Sequence, residues 1–167
     1  HAALGYVRHY DWMWEEAESE FLRAIELNPS YAPAHLWYAN LLMSRERLDE
    51  ALEQVNTARD LDPFSLIANT NVGWVLVSAG RHDEAIAHLR RTLELDSTYV
   101  HARWRLAYAM MGAGRVTEAY EQARRVVMLS NRAPPALGLL ARASGGLGRR
   151  HEVQAILAEL LERAETE

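Results

Sequence analysis

The sequence predicts an all-α fold made of repeated helix pairs, and three observations carry that expectation. The segments FLRAIELNPSYAPAH (21–35), VNTARDLDPFSLIAN (55–69) and LRRTLELDSTYVHAR (89–103) align without a gap at an offset of 34 residues. The same offset lines up Gly5, Ala39, Gly73, Ala107 and Ala141, a column of small residues, and Ala17, Ala51, Ala85, Ala119 and Val153, a second such column. Helix formers (Ala, Leu, Glu, Arg) dominate the composition, and self-similarity at a period of this size is the mark of a repeat architecture. A truncated first unit followed by four full ones gives a single domain, 1–167, with repeats at about 1–31, 32–65, 66–99, 100–133 and 134–167.

Each unit reads as two helices. In 1–31 the apolar positions Ala17, Phe21 and Ala24 mark a second helix that Asn28-Pro29 ends, and Asp11 is placed to cap it. In 32–65 the first helix runs from about Ala32 to Arg45, with Pro33 in its first turn, where a missing N–H costs nothing. Its partner runs from about Leu48 to Leu61, with Leu48, Ala51, Leu52, Val55 and Ala58 at helical spacing, and Asp62-Pro63 closes it. The units at 66–99 and 100–133 repeat the pattern through Val72 and Leu89, then Leu106 and Ala123, with Gly80 and Gly114 marking the turns. The last unit keeps Leu140, Leu157 and Gly148 but carries Gly145-Gly146 and places Gln154 where Leu52, Ile86 and Tyr120 stand, as expected of a capping unit. The register makes Trp14 the first inward residue of its helix and therefore core. Trp12 falls in the turn column beside Gly80 and Gly114, either as a lid over the first unit or as a contact to a neighbour.

The spacing small-x₁₁-Ala-x₃-apolar-x₂-Ala…Pro resembles the tetratricopeptide repeat, through Ala17, Phe21, Ala24 and Pro29 and again through Ala51, Val55, Ala58 and Pro63. The tryptophan that the family places early in the first helix is replaced by His35, Asn69, Arg103 and Leu137. The resemblance implies a right-handed α-solenoid of about five repeats, without catalysis, that binds an extended peptide or partner segment along the concave face of its first helices. DWMWEEAESEF, AIELNP, HLWYA and ARDLDPFSL also resemble the repeat regions of bacterial multidomain signalling proteins such as winged-helix regulators and receptor-type Ser/Thr kinases. That likeness implies a bacterial, cytoplasmic setting. The chain begins inside a first helix, which agrees with excision from a longer protein.

Several chemistries are not supported. The net charge of −5 gives no reason to expect direct nucleic-acid binding. All 18 basic residues are arginine and cysteine is absent, which removes a P-loop lysine, disulfides and thiolate metal sites. No His pair stands at i, i+4, so no helical zinc site is expected, and no cofactor is implied. The longest uncharged run, 64–80, covers 17 residues with five polar ones among them and is too short to insert in a membrane. MGAGR (111–115) and SGGLGRR (144–150) fall in inter-helix turns by register, and no Ser/His/Asp set can be assembled, so an enzyme is not expected.

The positions that face the groove in the family carry, among others, Tyr6, Trp37, Asn40, Asn71, Trp74, His101, Trp104, Arg105 and Tyr108. Aromatics and arginine are favoured at interface cores. The three tryptophans either touch a ligand or support the wall between adjacent first helices. Family members that clamp a peptide's C-terminal carboxylates do so with Lys and Asn, then Asn, then Lys and Arg. Those positions here are Leu36, Asn40, Asn71, His101 and Arg105, which keeps the asparagines and the arginine but neither lysine. Residues 1–31 hold two arginines against six carboxylates, a charge of −4, while 100–133 hold six against two, +4. The basic unit is either a carboxylate seat around Arg105 or a surface for an acidic neighbour. Self-assembly into a homo-oligomer is therefore the rival expectation, with a regulatory or spacer module a third.

Overall fold

The computed structural model describes residues 1–166. Among them are ten α-helices and no strand: α1 (Ala2–Tyr10), α2 (Trp14–Leu27), α3 (Ala32–Ser44), α4 (Leu48–Leu61), α5 (Leu66–Ser78), α6 (His82–Leu95), α7 (Val100–Gly112), α8 (Val116–Leu129), α9 (Pro134–Gly146) and α10 (Arg150–Thr166). Helices start at 14, 48, 82, 116 and 150, and at 32, 66, 100 and 134, so the period of 34 in the sequence is also the period of the helices. The fold class is the all-α helical repeat. Two compact units divide the chain, His1–Arg81 with α1 to α5 and His82–Glu167 with α6 to α10. In the first, consecutive helices pack together and the first helices α1, α3 and α5 also touch in succession; in the second, α6 to α10 pack consecutively.

One hydrogen bond sets where each second helix begins. The N–H groups of Met13, Arg47, Arg81, Arg115 and Arg149 donate to the carbonyls of Arg8, Leu42, Leu76, Met110 and Ser144, all at 2.8–3.0 Å. This closure needs a left-handed residue just before the donor. Gly80, Gly114 and Gly148 supply it at φ +72°, +74° and +70°, while Glu46 and Trp12 adopt the same conformation at +58° and +61°. The expected cap is corrected here. Asp11 belongs to the C-terminal turn of α1, and α2 is entered through Met13 with no side-chain cap. The carboxylate is too early because the left-handed residue and Met13 intervene.

Small residues let paired helices approach. A Cβ on Gly5 would lie 2.9 Å from the ring of Phe21, a fully buried side chain of α2. Ala39 and Ala107 are likewise fully buried in their hairpins. The expectation for Trp14 is corrected too: it is half-buried, because its ring stacks on Trp12 (centroids 5.7 Å, 24°) instead of turning wholly into the hairpin. In α10, Ile156 is buried while Gln154 and Leu157 are exposed.

The column that replaces the family tryptophan forms a polar tie across each hairpin. His35, buried in α3, bonds Gln54 of α4 through Nδ1 (2.8 Å) and the carbonyl of Pro29 through Nε2 (2.9 Å). Arg103, buried in α7, donates to Gln122 of α8 (2.7 Å) and to the carbonyl of Ser97. Asn69 donates to the carbonyl of Pro63 at 2.9 Å. In all three the side chain reaches the carbonyl six residues earlier, and His35 and Arg103 each reach the side chain nineteen residues later. His1 and Glu20 repeat the second contact at 2.5 Å. In the last hairpin the same two positions are Leu137 and Ile156, both buried in one apolar cluster. Among the described residues Arg103 has no carboxylate partner, and burial, aided by the nearby Arg125, pulls its pKa down.

The tie is therefore exchangeable only as a pair. Arg103→Leu alone should destabilise the protein by about 1–3 kcal/mol, because Gln122 and the Ser97 carbonyl lose their donor. Adding Gln122→Ile, which installs the Leu/Ile pair of the last hairpin, should recover most of that loss. Urea denaturation of the single and double variants measures both, and a double variant no more stable than Arg103→Leu would refute the pairing.

Candidate functional site

In the first unit, α1, α3 and α5 bring five of the expected residues onto packed first helices. The Tyr6 ring sits 5.4 Å from Trp37 and 4.9 Å from Tyr10. Trp37, half-buried, also meets Tyr31 edge-on at 6.5 Å. Asn40 is exposed and Asn71 half-buried, and neither carboxamide has a hydrogen-bond partner among the described residues. Trp74 lines a cavity of about 530 Å³ together with His9, Tyr10, Asn40, Met43 and Ser44. Thr70, beside Asn71 on α5, is buried, with its hydroxyl unpaired.

The other four expected residues lie on α7 of the second unit. His101 is exposed and its ring lies 5.6 Å from Tyr99. Trp104 and Tyr108 are half-buried and pack against the apolar cluster of α8 and α9, which gives both rings a supporting role in the wall. Arg142 of α9 places its guanidinium 5.3 Å over the Tyr108 ring. Burial lowers the pKa of Arg105 and Tyr108 opposes that shift. A separate cavity of about 390 Å³ on α6, α7 and α8 is lined by both signs of charge, Arg90, Arg103 and Arg125 with Glu94, Glu118 and Glu121, and so favours neither.

The helical periodicity does not reveal a second aromatic group, at the turn between α1 and α2. His9, Tyr10, Trp12, Trp14 and Ser44 line a cavity of about 330 Å³. The one signal for it in the sequence is Trp12 standing in a column of turn glycines. His9 is neutral more readily than usual, since burial lowers its pKa.

Beside this group, Glu18 joins three elements. It accepts from Tyr38 (2.8 Å) and from Arg47 (2.6 Å), with Arg45 at 3.4 Å. Burial alone would raise its pKa, but the bonds from Tyr38 and Arg47 and the charge of Arg45 outweigh it, and the pKa is lowered. The Tyr38 hydroxyl, buried and bonded to this carboxylate, is pushed up to about 12. Among the described residues no group of three or more His, Cys, Asp or Glu side chains converges as a metal site, and no helix is long and apolar enough to cross a membrane.

The ten described helices and their period of 34 define a helical-repeat protein. Two tetratricopeptide repeat models match the sequence, one over residues 30–98 and the other over 76–142. The chain belongs to the tetratricopeptide repeat family. No match was found among curated protein sequences. Of solved structures, TTC0263, a thermophilic TPR protein of Thermus thermophilus, is similar at a TM-score of 0.84 and 20% identity, over 99% of this chain and 90% of that one. MamA is similar at 0.76 and 20% identity, over 97% and 95% of the two chains. YrrB, described as a TPR protein with an unusual peptide-binding site, is similar at 0.65 and 20% identity, over 95% and 81%. Identities this low speak to the fold. Repeats of this family generally mediate protein–protein interaction and are typically non-catalytic.

The lowered pKa of Glu18 gives its contribution a definite pH window. A carboxylate whose folded pKa is depressed stabilises fully above its unfolded value and loses that stabilisation as pH falls through the folded one. Glu18→Gln should cost about 1 kcal/mol at pH 7, and the gap to wild type should close as pH falls from the ordinary carboxylate range through the lowered pKa of Glu18. Thermal melts of both proteins across that range measure it; a gap that stays constant with pH would remove the charge from the account.

Proposed function

We propose that this protein is a non-catalytic interaction module whose first-helix faces receive an extended segment of a partner protein. The observation that supports it best is the pair Asn40 and Asn71, two unpaired carboxamides on neighbouring first helices, with Trp37 and Trp74 beside them. A carboxamide presents one acceptor and two donors, which match the N–H and C=O of an extended peptide backbone. Tryptophans flanking such groups exclude water and give side-chain contact area. In the second unit His101, Trp104, Arg105 and Tyr108 offer the same mixture with positive charge added, which favours a carboxylate on the bound segment. The peptide-binding site described for YrrB is a precedent on a similar fold. A cytoplasmic setting, and the absence of nucleic-acid binding expected from the charge, belong to this proposal.

Panning a random peptide library against the wild-type protein supplies ligands for the test. Removing two bidentate partners should cost about 1–3 kcal/mol, so Asn40→Ala with Asn71→Ala should weaken the selected peptides by about tenfold or more, measured by calorimetry. Unchanged affinity in a folded double variant would sink the first-helix reading. The rival reading, self-association, is favoured by the −4 of residues 1–31 against the +4 of 100–133. It predicts a sedimentation coefficient that rises with concentration and falls as salt is added, and a monomer under all conditions would dispose of it.

A further inference from the structure

The turn between α1 and α2 holds a tryptophan where its three glycine counterparts have no side chain. Trp12 adopts φ +61° and leaves its ring 79% exposed. A left-handed conformation costs a residue with a Cβ about 1–2 kcal/mol. Nothing in the hairpin closure requires an indole there, since Gly80, Gly114 and Gly148 form the same bond. The ring instead stacks on Trp14 and walls a cavity of about 330 Å³ with His9, Tyr10 and Ser44. The His9 and Tyr10 rings are themselves stacked at 5.4 Å, and the Ser44 hydroxyl lies 3.3 Å from Nε2 of His9.

The lining side chains hold neither arginine nor carboxylate; beside them in sequence stand Asp11, Glu15 and Glu16 on one hand and Arg8 and Arg45 on the other. Asp11, in the same turn, and Glu16, in the first turn of α2, have no ion-pair partner among the described residues. Glu15 has only a long contact of 3.7 Å to Arg45, which also serves Glu18. His9, the one titratable ring in the wall besides Tyr10, is held toward its neutral form by burial and so does not oppose a cation. Electron-rich ring faces next to unpaired carboxylates attract a desolvating ammonium or guanidinium. They repel an anion and give an aliphatic side chain no use for the neighbouring carboxylates.

We propose that the cavity formed by Tyr10, Trp12 and Trp14 is a receptor for one cationic side chain, arginine or lysine, presented by a partner polypeptide. This cavity adjoins the one that holds Asn40, sharing His9, Tyr10 and Ser44 with it, but the cation it would take does not rest on the first-helix reading. It assigns Trp12 a ligand contact that the repeat fold does not need.

Three capped pentapeptides, Gly-Ser-X-Ser-Gly with X arginine, leucine or glutamate, serve as probes for the full 167-residue chain. The readout is the indole N–H resonances of Trp12 and Trp14 in NMR spectra, assigned with Trp12→Gly and Trp14→Phe. The arginine peptide should shift both resonances saturably, and the leucine and glutamate peptides should bind at least about fivefold more weakly. Trp12→Gly converts the turn to the residue that three of its four sister turns use, so the variant should melt no lower than wild type by more than a few degrees. It should bind the arginine peptide at least about fivefold more weakly. Tyr10→Leu gives an independent second loss should Trp12→Gly not fold. Equal binding of the leucine peptide, shifts confined to residues outside the cavity, or undiminished binding by folded Trp12→Gly or Tyr10→Leu would each overturn the proposal.

Discussion

The hydrogen bond from the residue after each left-handed turn position back to the carbonyl five residues earlier governs the rest of the molecule. It fixes the start of every second helix, and so fixes which of that helix's faces meets the first. Apolar stripes such as Ala17-Phe21-Ala24 and Ala51-Val55-Ala58 can be buried only once that phase is set. An isolated helix of 14 residues is marginal in water, so stability must come from the packing that the turn directs. The identical length of the turns, more than the identity of any one side chain, is what lets a 34-residue period persist from α2 to α10.

Once the phase is fixed, the hairpins tolerate wide chemical variation at one buried position. His35, Asn69, Arg103 and Leu137 occupy equivalent places, and the first three satisfy the same carbonyl six residues earlier. A buried donor left without an acceptor costs the full desolvation of that group. His35 and Arg103 therefore come with Gln54 and Gln122 opposite, and the apolar version comes with Ile156. The Arg-x-x-Glu pairs act at the other edge of the turn. Arg47 binds Glu50 through two bonds of 2.6 and 2.7 Å, and Arg115 binds Glu118 in the same way. Each ties the residue that closes the turn to the first turn of the helix it opens.

The period makes the helices legible, because spacing is preserved even where residue types drift. Ala32 to Arg45 and Leu48 to Leu61 can be read almost to the residue, and α3 and α4 occupy Ala32–Ser44 and Leu48–Leu61. Side-chain partnerships are harder to read. Asp11 has the residue type of a cap, yet its place relative to the left-handed turn makes it a helix end. His35 and Arg103 register as departures from a tryptophan pattern, since neither the carbonyl partner nor Gln54 and Gln122 is marked in a one-dimensional pattern. The register of Trp14 points inward, but register does not include the ring of Trp12 two residues earlier. Of the groove residues, the sequence places Asn40 and Asn71 on neighbouring first helices, while only the packed structure shows that their carboxamides are left without partners among the described residues.

Strain and spare hydrogen-bonding capacity are distributed unevenly. The core carries few unpaired polar atoms, the Thr70 hydroxyl and Arg103 Nε among them. On the first-helix face and at the first turn, by contrast, carboxamides stand without partners and a large ring is held in a costly conformation. A repeat protein can stack with any small residue at Trp12, so the tryptophan's backbone strain of about 1–2 kcal/mol is not offset by anything the hairpin gains from closure. Its stacking on Trp14 offsets part of it, at about 0.5–1.5 kcal/mol for an aromatic pair. That pairing still leaves most of the ring in water, and since Glu46 bears the same conformation in the next hairpin, what sets Trp12 apart is its exposed ring rather than the strain alone.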